Sequence, residues 1–197
     1  MKIIFITGPS GSGKTTVSKY ISKNLNNSYV LSTDNYYKTG FISKAFSIFI
    51  KSYYDLILSH KKNLIKKDID YILKNKSVYH FYKYDFKNKI TEKKLKKVSN
   101  IKILIIEGIF ALELTDFFSE NQYFLIRLKE KKNICRKRIS KRDRRERGKI
   151  HNLNSNEFND AWKIYHEKEN RYASKLRRGI TIKKNIDLKL LIKKLSK

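Results

Sequence analysis

Short apolar runs alternate along the 197-residue chain with longer stretches whose apolar positions recur every three or four residues. The runs Ile3–Ile6, Tyr29–Leu31, Ile101–Ile106, Tyr123–Leu128 and Ile180–Ile182 are dominated by Ile, Val, Leu and Phe, which predicts strands buried on both faces. Val78–Tyr82 reads as a further strand. Helical periodicity covers Lys14–Asn26, Asn63–Lys74, Lys131–Arg145, Glu157–Lys175 and Leu188–Leu195. Strands that alternate with helices predict an α/β fold, a mainly parallel β-sheet flanked by helices. No repeat, low-complexity linker or composition break divides the chain, so residues 1–197 read as one domain. The aromatic stretch Thr39–His60 fits a segment that closes over a site and equally a plain packing segment.

Composition narrows the class. Hydrophobic residues make up 40% of the chain and aromatics 13%, enough for a buried core, which excludes a wholly disordered chain. The net charge is +28, from 46 basic and 18 acidic residues, and such a surface draws nucleic acid, acidic membrane or phosphate-bearing small molecules. Lys supplies 36 of the basic residues, Arg ten, and they are spread; an A+T-rich coding sequence gives the same bias, so nucleic acid stays an open but not favoured partner. The lone Cys135 excludes an internal disulfide framework and, with four scattered His, argues against zinc. No apolar run approaches the roughly 18 residues a membrane span needs. The apolar start stops at Gly8, too short for a signal peptide, so a cytoplasmic protein is expected, without membrane association.

The first strand runs into Gly8-Pro9-Ser10-Gly11-Ser12-Gly13-Lys14-Thr15, which fills every fixed position of G-x-x-x-x-G-K-[ST]. Small residues let successive backbone N–H groups turn inward around a triphosphate, and the helix that follows aims its positive end at it. Gly8, Ser10, Gly11, Ser12, Gly13, Lys14, Thr15 and Thr16 are therefore the expected nucleotide site on a P-loop NTPase fold, for ATP or GTP. Lys14 would reach the β- and γ-phosphates, and Thr15 would coordinate Mg²⁺. A dinucleotide G-x-G-x-x-G fails, because its third glycine position is Thr16.

Three further elements add chemistry. Asp34, in Leu31-Ser32-Thr33-Asp34-Asn35-Tyr36-Tyr37, follows a short buried strand, where open α/β sheets place their ligands. A carboxylate there can take the proton of an attacking hydroxyl, or can simply turn the chain. Glu107 ends the apolar strand Ile103-Leu104-Ile105-Ile106 and is the expected partner of Thr15 in holding the metal. From Arg127 to Lys149 there are 13 basic and three acidic residues, and Arg138, Arg142 and Arg145 fall on one stripe of a helix at ~100° per residue. Guanidinium groups on a mobile helical lid, about 131–150, suit a transferring phosphoryl group; a solvated basic helix or an RNA-binding patch is the alternative. No aromatic residue interleaves there, which disfavours stacking on single strands.

In this order and spacing the elements resemble the uridine kinase family of P-loop kinases. The pieces that carry the resemblance are Gly8–Thr15, Asp34-Asn35-Tyr36-Tyr37, Tyr84-Asp85-Phe86, Ile106-Glu107-Gly108-Ile109, and Arg142-Asp143 followed by Glu146-Arg147-Gly148. The resemblance implies ATP- or GTP-dependent phosphorylation of the 5′-hydroxyl of a pyrimidine nucleoside, with Mg²⁺ and a homo-oligomeric assembly. It implies that Asp34 is the general base, that Arg142 and Arg147 attend the phosphates beside Lys14, and that Tyr37 and Tyr84 face the pyrimidine. Asp55, after Tyr54, falls where an acid holds the ribose hydroxyls, and Arg138 stands one residue from a lid arginine position that is Ile139 here, so Tyr54, Asp55 and Arg138 are expected at the acceptor with Tyr37 and Tyr84. Other departures are Tyr82-Lys83 before the Tyr-Asp-Phe piece, Lys89 in place of a base-contacting histidine, Leu56-Ile57-Leu58 after Asp55, and Lys149 at a lid arginine position. They fall on acceptor recognition and spare the phosphate machinery. Nicotinamide riboside, pantothenate or glycerate as acceptor stays open, as does a basic nucleic-acid-binding NTPase.

Overall fold

The structure is a computed structural model that describes residues 1–50, 52–147, 155–183 and 188–196. Five parallel strands form its main sheet: β1 (Lys2–Thr7), β2 (Ser28–Ser32), β5 (Ile103–Glu107), β6 (Tyr123–Lys129) and β7 (Ile180–Lys183), in the order β2-β5-β1-β6-β7. The two remaining strands, β3 (Val78–Asp85) and β4 (Ile90–Val98), pair antiparallel with each other as a separate hairpin. The run at Val78 is thus a strand outside the main sheet. β4 carries almost no apolar pattern, because water reaches most of its residues on both faces.

Two-sided burial explains the runs of Ile, Leu and Phe. Ile3 and Phe5 of β1 face one layer, with Leu104 and Ile106 of β5. Helix α3 (Lys62–Asn75) packs there through Ile65, Ile69 and Ile72, spaced at one helical turn. Ile4 and Ile6 face the opposite layer with Ile105, Ile126 and Leu128, covered by Ile21 of α1 (Lys14–Asn24) and Leu191 and Leu195 of α8 (Leu188–Ser196). Each side chain so buried contributes about 1.5–3 kcal/mol relative to exposure.

The remaining helices refine the expected ones. The aromatic stretch contains α2 (Phe41–Phe49) and two 3₁₀ turns, Tyr53–Asp55 and Ile57–Ser59. A short α4 (Ala111–Leu114) follows β5, and the basic helix α5 spans Lys132–Arg147. The expected helix Glu157–Lys175 is two helices, α6 (Ser155–Arg171) and α7 (Ala173–Arg178). It breaks at Tyr172, whose hydroxyl donates to Asp116 Oδ2 at 2.5 Å. Among the described residues no helix is long and apolar enough to cross a membrane.

Turn chemistry fixes the carboxyl edge of the sheet. Gly108, with φ +141°, lies directly after Glu107, and a Cβ there would overlap Thr33 Oγ1 and stand 3.2 Å from Asp34 Oδ1. The bare backbone thus lets the ends of β2 and β5 close on each other. Tyr37 bridges His60 in antiparallel fashion, and the imidazole is buried between the rings of Tyr37 and Phe110, at 4.0 and 4.1 Å between centroids.

Gly108→Ala is expected to lower stability by about 3 kcal/mol, through backbone strain and overlap at Thr33, read as a fall in thermal midpoint of about 6–12 °C. Burial lowers the His60 pKa from 6.5 to about 3, so the neutral ring stabilises the fold above pH ~6.5 and that stability drains away as pH falls toward 3. Urea unfolding between pH 7 and pH 4 should show a loss of up to about 1.4 kcal/mol per pH unit that is absent from His60→Gln.

Candidate active site

Sheet register gathers the polar residues. Glu107 is the register partner of Ile6 on one side and of Ser32 on the other, so the ends of β1, β2 and β5 lie side by side. The phosphate loop leaves β1 after Thr7, and Asp34 stands in the 3₁₀ turn Thr33–Tyr36 that leaves β2. Ser12 N–H bonds Pro9 O at 3.1 Å, and Gly11, with φ +78°, passes so close to α5 that a Cβ would meet Cys135 O at 2.5 Å. Gly8, Ser10, Gly13 and Thr16 complete the loop and the first turn of α1.

Lys14 is buried, and its ammonium donates to Gly8 O at 2.9 Å and Pro9 O at 3.0 Å. Burial pulls its pKa down, while Asp34 and Glu107 pull it back up. Thr15 Oγ1 donates to Glu107 Oε1 at 3.3 Å. Burial raises the Glu107 pKa and the nearby Asp34 raises it further, against the pull of Lys14 and hydrogen bonds from Ser32 and Thr15. Glu107 Oε2, Asp34 Oδ1 and Ser12 Oγ are buried without a hydrogen-bond partner. Two close carboxylates with orphaned oxygens, beside a hydroxyl and a phosphate loop, are the hard oxygen donors that Mg²⁺ takes, so these residues fit a magnesium–nucleotide complex.

A cavity of about 800 Å³ opens beside this cluster, within the range of small-molecule sites. Ser10, Asp34, Tyr37, Tyr54, Asp55, Tyr84 and Arg142 all line it, so seven expected site residues converge there. The Tyr37 and Tyr84 rings are tilted at 43° with centroids 4.9 Å apart, and Phe86 stands edge-on to Tyr84 at 4.8 Å. Each residue of Asp34-Asn35-Tyr36-Tyr37 has its own task. Asp34 and Tyr37 face the cavity, Asn35 Oδ1 accepts from Tyr84 N at 3.3 Å, and Tyr36 enters the core with its hydroxyl donating to Asp68 at 2.8 Å. In Tyr84-Asp85-Phe86 only the aromatics line the cavity. Asp85 instead shapes the hairpin turn, accepting from Lys87 N at 2.8 Å and from Asn88 N at 3.1 Å. Burial raises the Asp55 carboxyl to about 6, against the pull of Lys168.

Helix α5 separates the arginines of the expected stripe. Arg142 reaches the cavity and is held by Asp143, with Nε 3.1 Å from Oδ1. Arg138, assigned to the acceptor from the sequence, lies outside the cavity lining. Its Nη1 donates to Gly11 O at 3.2 Å, and Glu130 pairs with it at 3.1 Å. The position is physically apt, because Ile139 turns into a small core with Cys135 and Phe158 and leaves Arg138 over the phosphate loop. Arg145 lines a shallow outer depression with Arg136, Lys137, Lys141 and Arg144. The Arg147 side chain and residues Gly148 and Lys149 lie outside the described residues.

The structure adds residues that the motifs did not announce. Trp162, Tyr165 and Lys168 of α6 line the cavity. Tyr165 OH lies 3.2 Å from Thr7 Oγ1, and Glu169 holds Arg127 of β6 through two bonds of 2.8 and 3.1 Å. These ties fix α6 to the carboxyl ends of β1 and β6. The available signal was the spacing Phe158, Trp162, Tyr165, Glu169, one face of a helix that turns from aromatic to charged.

Residues 4–163 match the AAA domain family. A uridine kinase of Borrelia turicatae (strain 91E135) is 35% identical over 109 residues, 55% of this chain and 52% of that protein. A uridine kinase of Leuconostoc citreum (strain KM20) is 32% identical over 111 residues, again 54% and 52%. The chain spans about half the length of the curated relatives it matches. Among solved structures, a possible uridine kinase from Bacillus stearothermophilus superposes with a TM-score of 0.58 over 92% of this chain and 88% of that one, at 17% identity. A candidate fructose transport system kinase from Silicibacter sp. TM1040 superposes with a TM-score of 0.62 over 84% of each chain, also at 17% identity, so the likeness to both is one of fold. With its phosphate loop between β1 and α1, and with residues 4–163 matched, the chain belongs to the AAA domain family, on the α/β fold of P-loop kinases.

Proposed function

We propose that this protein transfers the γ-phosphoryl group of ATP or GTP to the 5′-hydroxyl of a pyrimidine nucleoside, uridine or cytidine. The observation that carries the reading is the meeting of Asp34 with Lys14 and Glu107 beside a cavity that Asp34 lines together with Tyr37, Tyr54 and Tyr84. The uridine kinase names of the relatives support it.

Thr15 and Glu107 would hold the divalent cation, which neutralises phosphate charge as the bond to the leaving group breaks. Asp34 accepts the hydroxyl proton as the acceptor oxygen bonds to phosphorus. Lys14 leaves the carbonyls of Gly8 and Pro9 for the phosphates, while Arg138 and Arg142 supply planar donors from α5. Arg147 belongs to the same set by its place in the sequence. Tyr37 and Tyr84 offer aromatic faces to the base, and Asp55 accepts from two ribose hydroxyls beside Tyr54. Closure of α5 and the residues after it, about 131–150, would exclude water from the transfer.

Asp34→Asn is expected to lower kcat by about 10²–10⁴ in a coupled ADP-release assay with uridine, while nucleotide affinity stays within about threefold. An equal loss of nucleotide binding would remove Asp34 from the base role. Because burial pushes the Asp55 carboxyl up to about 6, kcat/KM for the nucleoside should fall with one-proton slope below about pH 6, and Asp55→Asn should abolish that acid limb. Turnover of nicotinamide riboside, pantothenate or glycerate in place of uridine and cytidine would keep the mechanism and replace the acceptor.

A further inference from the structure

Helix α6 buries a lysine for which phosphoryl transfer has no direct use; burial pulls its pKa down, and Glu113 and Asp55 pull it back up. Lys168 is 3% exposed, its ammonium lies 2.6 Å from Glu113 Oε1, and it donates to Ile109 O at 3.0 Å. Such a pair is costly to desolvate, and apolar residues of similar size would hold α6 to α4 at least as well. Even here the pairing is incomplete, since Glu113 Oε2 is buried without a hydrogen-bond partner. Stability alone therefore does not account for the ammonium.

Its surroundings lead to the acceptor cavity. Lys168 Nζ stands 4.4 Å from the centroid of the Phe110 ring, Phe110 packs on His60 at 4.1 Å, His60 on Tyr37 at 4.0 Å, and Tyr37 on Tyr84 at 4.9 Å. One packed column thus runs from the ammonium to the tyrosines. Lys168 also lines the cavity itself, with Asp55. The charges that bear on Asp55 are Lys168 and Glu157, both from α6, and Asp34 from the turn after β2. Lys168 opposes the two acids. The charges that bear on Lys168 are Glu113 of α4, Asp55, and Arg171 of α6.

We infer that Lys168, paired with Glu113, is a positioning residue of the acceptor site, where it seats the tyrosine platform through Phe110 and His60 and supplies a cation to the cavity that it lines with Asp55. The inference rests on the nucleoside-kinase reading for its acceptor; its electrostatic half stands apart from turnover. It makes acceptor binding depend on the seating of α6, the helix that follows the basic α5.

Two variants separate this role from a merely structural one. Lys168→Met strands Glu113, so it is paired with the double variant Lys168→Met, Glu113→Leu, which removes the ion pair as a unit and leaves no orphaned charge. In both, KM for uridine should rise about tenfold, nucleotide affinity should stay within about twofold, and the acid limb of kcat/KM should move upward by about one pH unit. The Asp55 carboxyl, followed by ¹³C NMR in the absence of acceptor and assigned through Asp55→Asn, should titrate at correspondingly higher pH in both variants. A double variant that folds and keeps the wild-type KM and Asp55 titration overturns the inference. If wild type and variants all fail to phosphorylate nucleosides, an Asp55 titration that still moves supports the hold of Lys168 on Asp55 and overturns the nucleoside reading alone. An unmoved titration overturns the inference whatever the assay shows.

Discussion

The site depends on the register of three parallel strands that end at one level. Because Glu107 of β5 lies opposite Ile6 of β1 and Ser32 of β2, the phosphate loop, the Asp34 turn and the Glu107 carboxylate have no option but to meet. That register is held by side chains buried on both faces, Ile3 to Ile6 against Leu104 to Ile106, where a one-residue slip would exchange the layers. Gly108 then lets the two strand ends approach without a side chain between them. The cost of crowding two carboxylates and an ammonium in a dry corner is met by the stability of the sheet behind them, as strain at functional sites generally is.

Electrostatics divides the molecule. The chain carries +28 overall, and the outer face of α5 shows that excess openly through Arg136, Lys137, Lys141 and Arg144. The cavity carries five carboxylates, Asp34, Asp55, Asp143, Glu157 and Asp160, against Lys89, Arg142 and Lys168. The outer surface is thus cationic, whereas the cavity presents mostly hydrogen-bond acceptors. Arg142 with Asp143, and Lys168 with Glu113, set the positions of cations that would otherwise be free to fold over the cavity.

Local chemistry was legible in the sequence wherever a motif is contiguous. The phosphate loop, the acid closing an apolar strand, and the Asp-Asn-Tyr-Tyr turn announced their places, because a strand end followed by small or polar residues leaves the chain few alternatives. The β3–β4 hairpin was half hidden, since Ile90–Val98 is solvated on both faces and no burial pattern marks it. Arg138, expected at the acceptor, stands instead over the phosphate loop; the neighbouring Ile139 takes the inward direction and fixes the rotation of α5. His60 was marked only as the end of an aromatic stretch and Lys168 not at all, for each owes its environment to contacts from far along the chain.

By itself the sequence determined the class of fold, the phosphate loop and the acids at the carboxyl ends of β2 and β5, because continuous apolar runs, the 3.6-residue periodicity and contiguous turns are local properties. The tertiary structure alone decided which charges are buried, which arginine meets the phosphate loop and which the cavity, and how α6 ties Lys168 to Glu113 and Asp55. Burial and pairing are set by segments 55 to 127 residues apart in the chain, and no local pattern of polarity carries that information.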